Sequence, residues 1–468
     1  MTGRCLMLQG TASGVGKSPL TAALCRIFAR RGWRVAPFKA QNMALNAAVT
    51  AGGGEIGRAQ AAQAEAAGVE PTVDMNPILL KPERDDRSQV VVRGVPVGSM
   101  TFREYGRRRP ALLPIVIASL ERLRQSHDLV VIEGSPAEIN LVDGEIVNMC
   151  IARLAQAPVL LVGDIDRGGV FAAFVGTLAL LAPEDRERVA GFIVNKFRGD
   201  PILLAPGLET LVARTALPVL GVVPYLEAGL VPAEDSLDLE VALPPSGTCR
   251  LDIAVIRLPR IANFDDVEPL AREPGVRVRF VDGAGGLAGA DLIILPGSKS
   301  TMADLDWLRS TGLAGALLAG AGRDTPVIGI CGGYQMLGTA LYDPEGIESP
   351  AARAPGLGLL DVRTTFAPVK TTVRVRGRVE AGDGLLAAAR RTEIDGYEIH
   401  TGRSALDGRL SSSARRSAAL ANRPWPGARG SRSTRAGAHE RPVARCDRLA
   451  DAVAAAVDVP AIIRLARL

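Results

Sequence analysis

Short apolar runs alternate with segments of helical period along most of the chain, in two successive series. The first series begins with a run at 4–9 and a helical pattern from Leu20 to Arg31. Further apolar runs of both series lie at 33–38, 128–133, 158–163, 191–194, 218–223, 291–295 and 326–330. Apolar runs without polar alternation are typical of parallel strands covered by helices on both faces. The pattern therefore predicts an α/β chain with two parallel-sheet domains.

The two series define a predicted division of the chain. We expect a first domain at 1–243, a linker at 244–250 that contains Pro244-Pro-Ser-Gly-Thr248, and a second domain at 251–404. The following segment, 405–445, is rich in Arg, Ser, Pro and Gly and has neither a strand period nor a helical period. A helical period returns over 446–468, which we expect to be a C-terminal helix.

The net charge of +5 is a local feature and does not indicate a nucleic-acid partner. Ten arginines lie between Arg403 and Arg445, against only Asp407 and Glu440, so the rest of the chain is slightly acidic. A binding groove for nucleic acid would instead need basic residues spread over one face together with aromatic residues. We therefore predict no nucleic-acid partner.

The cysteines and the hydropathy of the chain indicate a cytoplasmic protein with no membrane partner. The six cysteines are scattered and form no Cys-x-x-Cys pair, which argues against a zinc site and a disulfide framework. The first residues run directly into a strand and a glycine-rich loop, unlike a cleavable signal. No apolar stretch reaches the roughly 18 residues of a membrane span.

A phosphate-binding loop is predicted at Gly10-Thr-Ala-Ser-Gly-Val-Gly-Lys-Ser18, between the first strand and the first helix. Backbone N–H groups of such a loop surround phosphate oxygens, and a lysine adds a positive charge. We expect Gly10, Thr11, Gly16, Lys17 and Ser18 to bind ATP, with the Ser18 hydroxyl also placed to bind Mg²⁺. The spacing is similar to that of dethiobiotin-synthetase-like ATPases.

Glu133 is the second candidate ligand for Mg²⁺. It ends the apolar run Asp128-Leu-Val-Val-Ile-Glu133, which predicts a carboxylate at the carboxyl edge of the same parallel sheet. The alternative is a solvated loop acid, but four apolar strand residues immediately before it favour the metal role.

Cys331 is the candidate nucleophile. It lies in Pro326-Val-Ile-Gly-Ile-Cys-Gly-Gly-Tyr-Gln335, where a strand ends abruptly before a helical pattern. Such a turn exposes a reactive side chain at a sheet edge, and we expect the helix N-terminus to favour the thiolate. A structural buried cysteine is the alternative. The upstream Leu295-Pro-Gly-Ser-Lys-Ser300 could direct N–H groups at an oxyanion. Together the two runs resemble the class I glutamine amidotransferase domain.

Several longer motifs resemble the cobyric acid synthase family over residues 5–403. The motifs are Gln41-Asn-Met-Ala-Leu-Asn46, Ser135-Pro-Ala-Glu-Ile-Asn140, Gly163-Asp-Ile-Asp-Arg-Gly-Gly169, Asn195-Lys-Phe-Arg-Gly-Asp200 and the Cys331 turn. The resemblance implies a P-loop domain followed by a glutamine amidotransferase domain. It also implies that ATP, Mg²⁺ and glutamine are used to amidate the b, d, e and g carboxylates of (adenosyl)cobyrinic acid a,c-diamide, a corrinoid substrate of cobalamin biosynthesis.

Two departures from this family lie in the first domain. Gly14 stands where the family usually has Asp, which we expect the loop to tolerate. Glu133-Gly134 runs directly into Ser135-Pro136, where the family has two more small residues. The shortened loop puts the nucleotide geometry beside Glu133 in question.

The third departure is the segment 405–445, which we interpret as out of frame, with the frame restored near Arg445. A functional basic linker is the alternative. The family carries its catalytic His in this region, and none of the three histidines here takes its place convincingly. His127 is expected at the surface and His400 is expected to shape the site. His439 lies in the aberrant segment without the family motif around it. The glutaminase half-reaction is therefore expected to be impaired.

Three other functions compete with this interpretation. Cobyrinic acid a,c-diamide synthase shares the architecture, but the motifs at 41–46 and 135–138 argue against it. A partition-type ATPase has a similar phosphate loop but no domain with a nucleophile such as Cys331. The aberrant segment also leaves a decayed, non-catalytic homologue as an alternative.

Overall fold

The computed structural model describes residues 2–226, 249–380, 387–406, 418–420 and 442–468. The predicted linker at 244–248, His439 and most of the segment 405–445 lie outside these ranges. The predicted domain boundaries therefore stay predictions.

The first domain is built on a parallel sheet of six strands in the order β12-β11-β10-β1-β9-β2. A second, mixed sheet, β3-β6-β7-β8, and a small pair, β4-β5, adjoin it. The strands are β1 (Arg4–Gly10), β2 (Val35–Phe38), β3 (Gln41–Met43), β4 (Ala47–Val49), β5 (Glu55–Gly57), β6 (Ile78–Arg84), β7 (Arg87–Val92), β8 (Val95–Thr101), β9 (Leu129–Pro136), β10 (Val159–Asp164), β11 (Val189–Phe197) and β12 (Val219–Pro224).

Seven helices belong to the described part of the first domain. They are α1 (Lys17–Arg30), α2 (Arg58–Ala67), α3 (Phe102–Ser126), α4 (Met149–Ala155), α5 (Val170–Leu180), α6 (Pro183–Arg186) and α7 (Ala205–Thr215). The central strands β1, β9 and β10 are almost wholly buried, because helices cover both faces of the sheet. The predicted parallel sheet is confirmed, and the carboxyl ends of its strands meet at one edge.

The second domain has a parallel sheet in the order β15-β13-β16-β18-β23 and a long hairpin, β21-β22, beside it. Its strands are β13 (Leu251–Ile256), β14 (Ile261–Ala262), β15 (Val276–Val281), β16 (Leu292–Leu295), β17 (Gly297–Ser298), β18 (Val327–Ile330), β19 (Ala340–Tyr342), β20 (Arg353–Pro355), β21 (Val362–Arg378), β22 (Glu393–Leu406) and β23 (Ala418–Leu420). Its helices are α8 (Glu268–Ala271), α9 (Thr301–Ser310), α10 (Leu313–Gly322) and α11 (Gly332–Leu337).

The strand β23 corrects one detail of the sequence analysis. It lies in the segment 405–445, for which we expected no strand, and it pairs with β18 at the edge of the second sheet. A strand of three residues is too short to show the alternation of apolar and polar side chains by which strands are predicted from sequence. The sequence pattern therefore could not reveal it.

The C-terminal residues, for which we expected one helix over 446–468, form two helices that pack on the first domain. They are α12 (Pro442–Ala456) and α13 (Val459–Ala466). Leu449, Val453 and Ile462 are buried in the same core as the apolar face of α1. Arg26 of α1 also donates to Asp447 at 2.7 Å. The C-terminus is therefore a structural part of the nucleotide-binding domain.

Deletion of residues 442–468 should unfold the first domain. Burial of each large apolar side chain contributes about 1.5–3 kcal/mol, and Leu449, Val453, Val459 and Ile462 are all at most 2% exposed. Their sum is comparable with the total stability of a domain, about 5–15 kcal/mol. We expect the deletion variant to unfold at a much lower urea concentration than the unaltered protein, or to be unfolded without urea.

The matched control for this deletion is Asp451→Asn. Its target forms an exposed ion pair with Arg30, and such pairs contribute little to stability. The control should keep the midpoint of the unaltered protein. An unchanged midpoint in the deletion variant would show that α12 and α13 are dispensable for the first domain.

Candidate active sites

The predicted phosphate loop connects β1 to α1 at the carboxyl edge of the first sheet. Gly16 has a φ of 92°, and a Cβ at this position would lie 2.1 Å from Nδ2 of Asn195, so only glycine fits. The Lys17 ammonium donates to the carbonyl of Ala12 within the loop, at 3.3 Å. The backbone N–H of Thr11 donates to the carbonyl of Val162 at 2.9 Å. The loop thus has a defined shape around Lys17.

Two residues of β11 hold the phosphate loop from outside. Asn195 donates to the carbonyl of Val15 at 2.8 Å, and Lys196 donates to that of Gly14 at 2.7 Å. Lys196 also forms an ion pair with Asp164, at the end of β10. Gly14 has a φ of 68°, a left-handed conformation that suits glycine, and a Cβ at this position would meet no atom within 4 Å.

Glu133 lies fully buried within β9, three residues before the strand ends, in a cluster of polar side chains. Its Oε1 accepts from Ser18 at 2.9 Å and from the Lys39 ammonium at 2.8 Å. Its Oε2 accepts from Gln63 of α2 at 2.5 Å. The structure therefore brings the two predicted metal ligands, Ser18 and Glu133, together. The sequence analysis did not place Lys39 and Gln63 at this site.

The donor set at this position suits a magnesium ion. Mg²⁺ takes oxygen ligands and is usually held by one or two carboxylates together with substrate phosphates. The Ser18 hydroxyl and the Glu133 carboxylate are adjacent oxygens beside the phosphate loop. Among the described residues, no cluster of three or more His, Cys, Asp or Glu side chains could bind a metal by itself. An ion here would complete its coordination with phosphate oxygens and water.

The shortened connection after Glu133 continues as strand instead of forming a loop. β9 extends to Pro136, which pairs with Gly10 across a bulge. Asn148 fixes this extension, because its Oδ1 accepts from the N–H of Ser135 at 2.7 Å and its Nδ2 donates to the carbonyl of Pro136 at 3.0 Å. The connection is therefore ordered without displacing Glu133 from Ser18.

Cys331 occupies the sharp turn between β18 and α11. Its φ and ψ of 49° and −110° are unusual for a residue other than glycine, as expected of a strained nucleophile turn. A Cβ at Gly333 would lie 2.0 Å from the carbonyl of Leu295, so glycine is required for the helix to pack this closely on β16. The predicted turn is therefore present, with the cysteine at its apex.

The predicted oxyanion loop, Gly297–Ser300, lies beside this turn. A Cβ at Gly297 would lie 3.7 Å from Cβ of Cys331. β17 within the loop pairs with β14, and Ser298 donates to Asp304 at 2.6 Å. The backbone of this loop is thereby placed next to the sulfur.

The pocket in front of Cys331 is formed by both domains. The second domain contributes residues of the oxyanion loop and of the hairpin β21-β22, and the first domain contributes Lys81, Glu83 and Gln89. Behind this wall, the buried carboxylate of Glu55 accepts from Lys81 at 2.5 Å and from Lys370 of the second domain at 2.6 Å. The candidate nucleophile therefore faces the nucleotide-binding domain across a shared pocket.

The expectation of a stabilised thiolate was wrong for the structure as it stands. Burial raises the pKa of Cys331 to about 11, and the hydrogen bond from the N–H of Gly332 lowers it by less. Asp266 and Glu348 raise this pKa further, whereas Lys81 lowers it. The N–H of Gly332 is the contribution of the α11 N-terminus, and desolvation of the sulfur outweighs it.

The reaction of Cys331 with iodoacetamide should therefore lack a plateau below pH 10. The thiolate is the reactive form, and a pKa near 11 makes its concentration rise about tenfold per pH unit throughout this range. Mass spectrometry of the Cys331 peptide gives the rate at each pH, with a small thiol in the same buffers as the reference. A plateau below pH 9 would show that the positive charges outweigh burial.

Two of the three histidines lie in described residues, and only His400 lines the Cys331 pocket. Its Nδ1 lies 2.8 Å from the carbonyl of Gly402, and its Nε2 lies 3.5 Å from Oε2 of Glu398. The contact of the sulfur is instead with the carbonyl of Ile399, at 3.8 Å. His127 ends α3 and contacts Leu123 and Ser126 of that helix.

Glu348 is a pocket residue that the sequence analysis missed. Its Oε2 accepts from the N–H of Thr301 at 2.7 Å, at the beginning of α9. Burial raises the pKa of Glu348 to about 7, although Lys299 and the Thr301 N–H lower it. No local pattern marks this glutamate, because the loop that carries it is placed by Asp343, which accepts from the N–H groups of Ile347, Glu348 and Ser349.

No helix in the described part of the chain is both long enough and apolar enough to cross a membrane.

Two family models match the chain in the order that the sequence predicted. The CobQ/CobB/MinD/ParA nucleotide binding domain matches residues 6–235. The CobB/CobQ-like glutamine amidotransferase domain matches residues 252–435. The second match extends into the segment 405–445. A P-loop domain followed by an amidotransferase domain is therefore confirmed.

Curated relatives match along most of the chain. The cobyric acid synthase of Sorangium cellulosum is 60% identical over 417 residues, which cover 86% of this chain and 80% of the relative. The enzymes of Dehalococcoides mccartyi strain 195 and Moorella thermoacetica are each 55% identical, over 86% and 87% of this chain and 79% and 80% of their own lengths. With this identity across both domains, the chain belongs to the cobyric acid synthase family.

Proposed function

We propose that this chain is an ATP- and glutamine-dependent ligase that amidates the b, d, e and g carboxylates of (adenosyl)cobyrinic acid a,c-diamide. The observation that carries the proposal is the pocket in which Cys331 faces Lys81 and Glu83 of the nucleotide-binding domain. Ammonia released at the Cys331 sulfur would therefore form at the boundary with the domain that activates the carboxylate. Membership of the cobyric acid synthase family supports the substrate class.

Activation of the carboxylate is the task of the first domain. A substrate carboxylate oxygen attacks the γ-phosphorus of ATP, the bond to ADP breaks, and an acyl phosphate forms. Lys17 and the loop N–H groups balance the negative charge of the phosphates. Ser18 and Glu133 would hold Mg²⁺, which supplies further neutralisation of phosphate charge when it is bound. Lys39 and Gln63 orient the Glu133 carboxylate through their hydrogen bonds.

Release of ammonia is the task of Cys331. Its sulfur attacks the side-chain amide carbon of glutamine, and the oxyanion that forms lies beside the Gly332 N–H and the oxyanion loop. As this intermediate collapses, the proton lost by the thiol passes to the nitrogen, the C–N bond breaks and ammonia leaves. The thioester that remains is hydrolysed by water to glutamate, which regenerates the thiol. The ammonia attacks the acyl phosphate carbon, phosphate leaves, and loss of a proton gives the amide.

Glutamine labelled with ¹⁵N in its side-chain amide tests this proposal. The chain is incubated with the a,c-diamide, ATP, Mg²⁺ and either labelled glutamine or labelled ammonium, and mass spectrometry counts the labelled amides in the product. Up to four labelled amides are expected. A product without label from either nitrogen source would refute an amide ligase, and phosphate release without corrinoid would point to an ATPase.

A further inference from the structure

The end of β6 and the turn that follows it carry the first domain into contact with the oxyanion loop of the second. Oε1 of Glu83 lies 2.8 Å from the Lys299 ammonium. The carbonyl of Glu83 accepts from the Ser300 hydroxyl at 3.3 Å and from Nε of Arg260 at 3.3 Å. One residue of the nucleotide-binding domain thus contacts two consecutive residues of the loop beside Cys331.

The Glu83–Lys299 pair is placed to be stronger than an ordinary surface ion pair. The two side chains are 19% and 14% exposed, so water screens them only in part. Burial tends to raise the pKa of Glu83, but Lys299 and the hydroxyl of Ser99 lower it below its usual value, so the carboxylate is charged at neutral pH. The pair therefore joins two opposite charges across the domain boundary.

The oxyanion loop depends on contacts of this kind for its position. β17 has only two residues, and its pairing with β14 is equally short. The N–H of Lys299 donates to the carbonyl of Arg260 at 2.9 Å, and Nε of Arg260 donates in turn to the backbone carbonyl of Glu83. Both strands of this small ladder are therefore fixed from the side of the nucleotide-binding domain.

From these contacts we propose that Glu83 is a positioning residue for glutamine hydrolysis, which holds the oxyanion loop against Cys331 through Lys299. The proposal rests on the proposed function, because it takes Cys331 as the nucleophile. It adds that the glutaminase site is complete only when the first domain is docked. Ammonia release is thereby confined to the enzyme in which the two domains are in contact.

The test compares Glu83→Ala and Glu83→Gln with Asp85→Asn as the matched control. Asp85 lies in the same turn, pairs with Arg260 at 2.6 Å and is 99% exposed, so its loss removes a charge without releasing Lys299. The probe is the chloroketone analogue of glutamine, whose carbonyl oxygen needs the oxyanion position while Cys331 displaces chloride. Iodoacetamide is the second probe, because it alkylates the same sulfur without a carbonyl intermediate.

In Glu83→Ala, we expect the maximal rate of inactivation by the chloroketone to fall by between about 10- and 100-fold. Small displacements of the N–H groups that stabilise an oxyanion have effects of this size. The loss should be smaller in Glu83→Gln. Three other quantities should change less than twofold in both Glu83 variants: the chloroketone concentration that gives the half-maximal rate, the rate of alkylation by iodoacetamide, and the rate of ammonium-supported amidation. The control Asp85→Asn should match the unaltered protein in all of these measurements.

Three outcomes would overturn the proposal. An unchanged maximal rate would show that Glu83 does not position the loop. A rise in the half-maximal concentration alone would make Glu83 a glutamine ligand. A parallel loss with iodoacetamide would mean a general structural defect. Failure of ammonium-supported amidation in the unaltered protein would instead refute the proposed function, so the two ideas fail separately.

Discussion

Replacement of Lys17 by alanine should abolish binding of Mg·ATP in isothermal titration calorimetry. Lys17 is 7% exposed, and its ammonium donates to the carbonyl of Ala12 inside the phosphate loop. The next residue, Ser18, donates to the buried carboxylate of Glu133. Without the ammonium, the negative charges of the polyphosphate would lie near the buried carboxylate without the Lys17 charge to balance them. Because a charge-assisted contact contributes about 1.5–3 kcal/mol and several phosphate oxygens share this one, a loss of at least 100-fold in affinity is expected.

The matched control removes a positive charge from the other end of the same helix. Arg31 is exposed and ends α1, about 20 Å from Lys17 at the usual rise per residue. Arg31→Ala should bind Mg·ATP as tightly as the unaltered chain. Equal affinities of Lys17→Ala and Arg31→Ala for Mg·ATP would show that the nucleotide does not bind at the phosphate loop.

The sequence predicts best those features that depend on a few consecutive residues. Apolar runs locate β1, β9, β10 and β18 within one to three residues, because a strand buried on both faces has no room for polar side chains. The same logic places Glu133 and Cys331 correctly, since each follows directly on such a run.

What the sequence does not predict is the set of neighbours that tertiary structure brings to each site. Gln63 reaches Glu133 from an alanine-rich helix in which only two buried glutamines interrupt the apolar face. That spacing of polar residues is a usable signal in retrospect. The pKa of Cys331 has no such signal, because the groups that bury and surround the sulfur come from distant segments and from the other domain.

Glutamine-dependent amidation by this chain should be severely reduced, whereas ammonium at alkaline pH should support some ATP-dependent amidation. The family resemblance implies that the catalytic histidine would lie in the segment 405–445, and a general base is worth typically 10²–10⁴-fold. The structure puts the carbonyl of Ile399, not the imidazole of His400, against the Cys331 sulfur. The activating site with Lys17 and Glu133 lies elsewhere, and free ammonia needs no Cys331.

The assay follows amide formation from the a,c-diamide with each nitrogen donor and compares this chain with a version whose reading frame is repaired over codons 403–446. Repair should restore the glutamine-dependent rate and leave the ammonium-dependent rate unchanged. Cys331→Ala in the repaired chain is the control, because it should return the repaired enzyme to ammonium dependence. Full glutamine-dependent activity in the unrepaired chain would instead identify His400 or His439 as the base. Absence of both activities before repair, with both present after it, would indicate that the unrepaired chain is a decayed homologue.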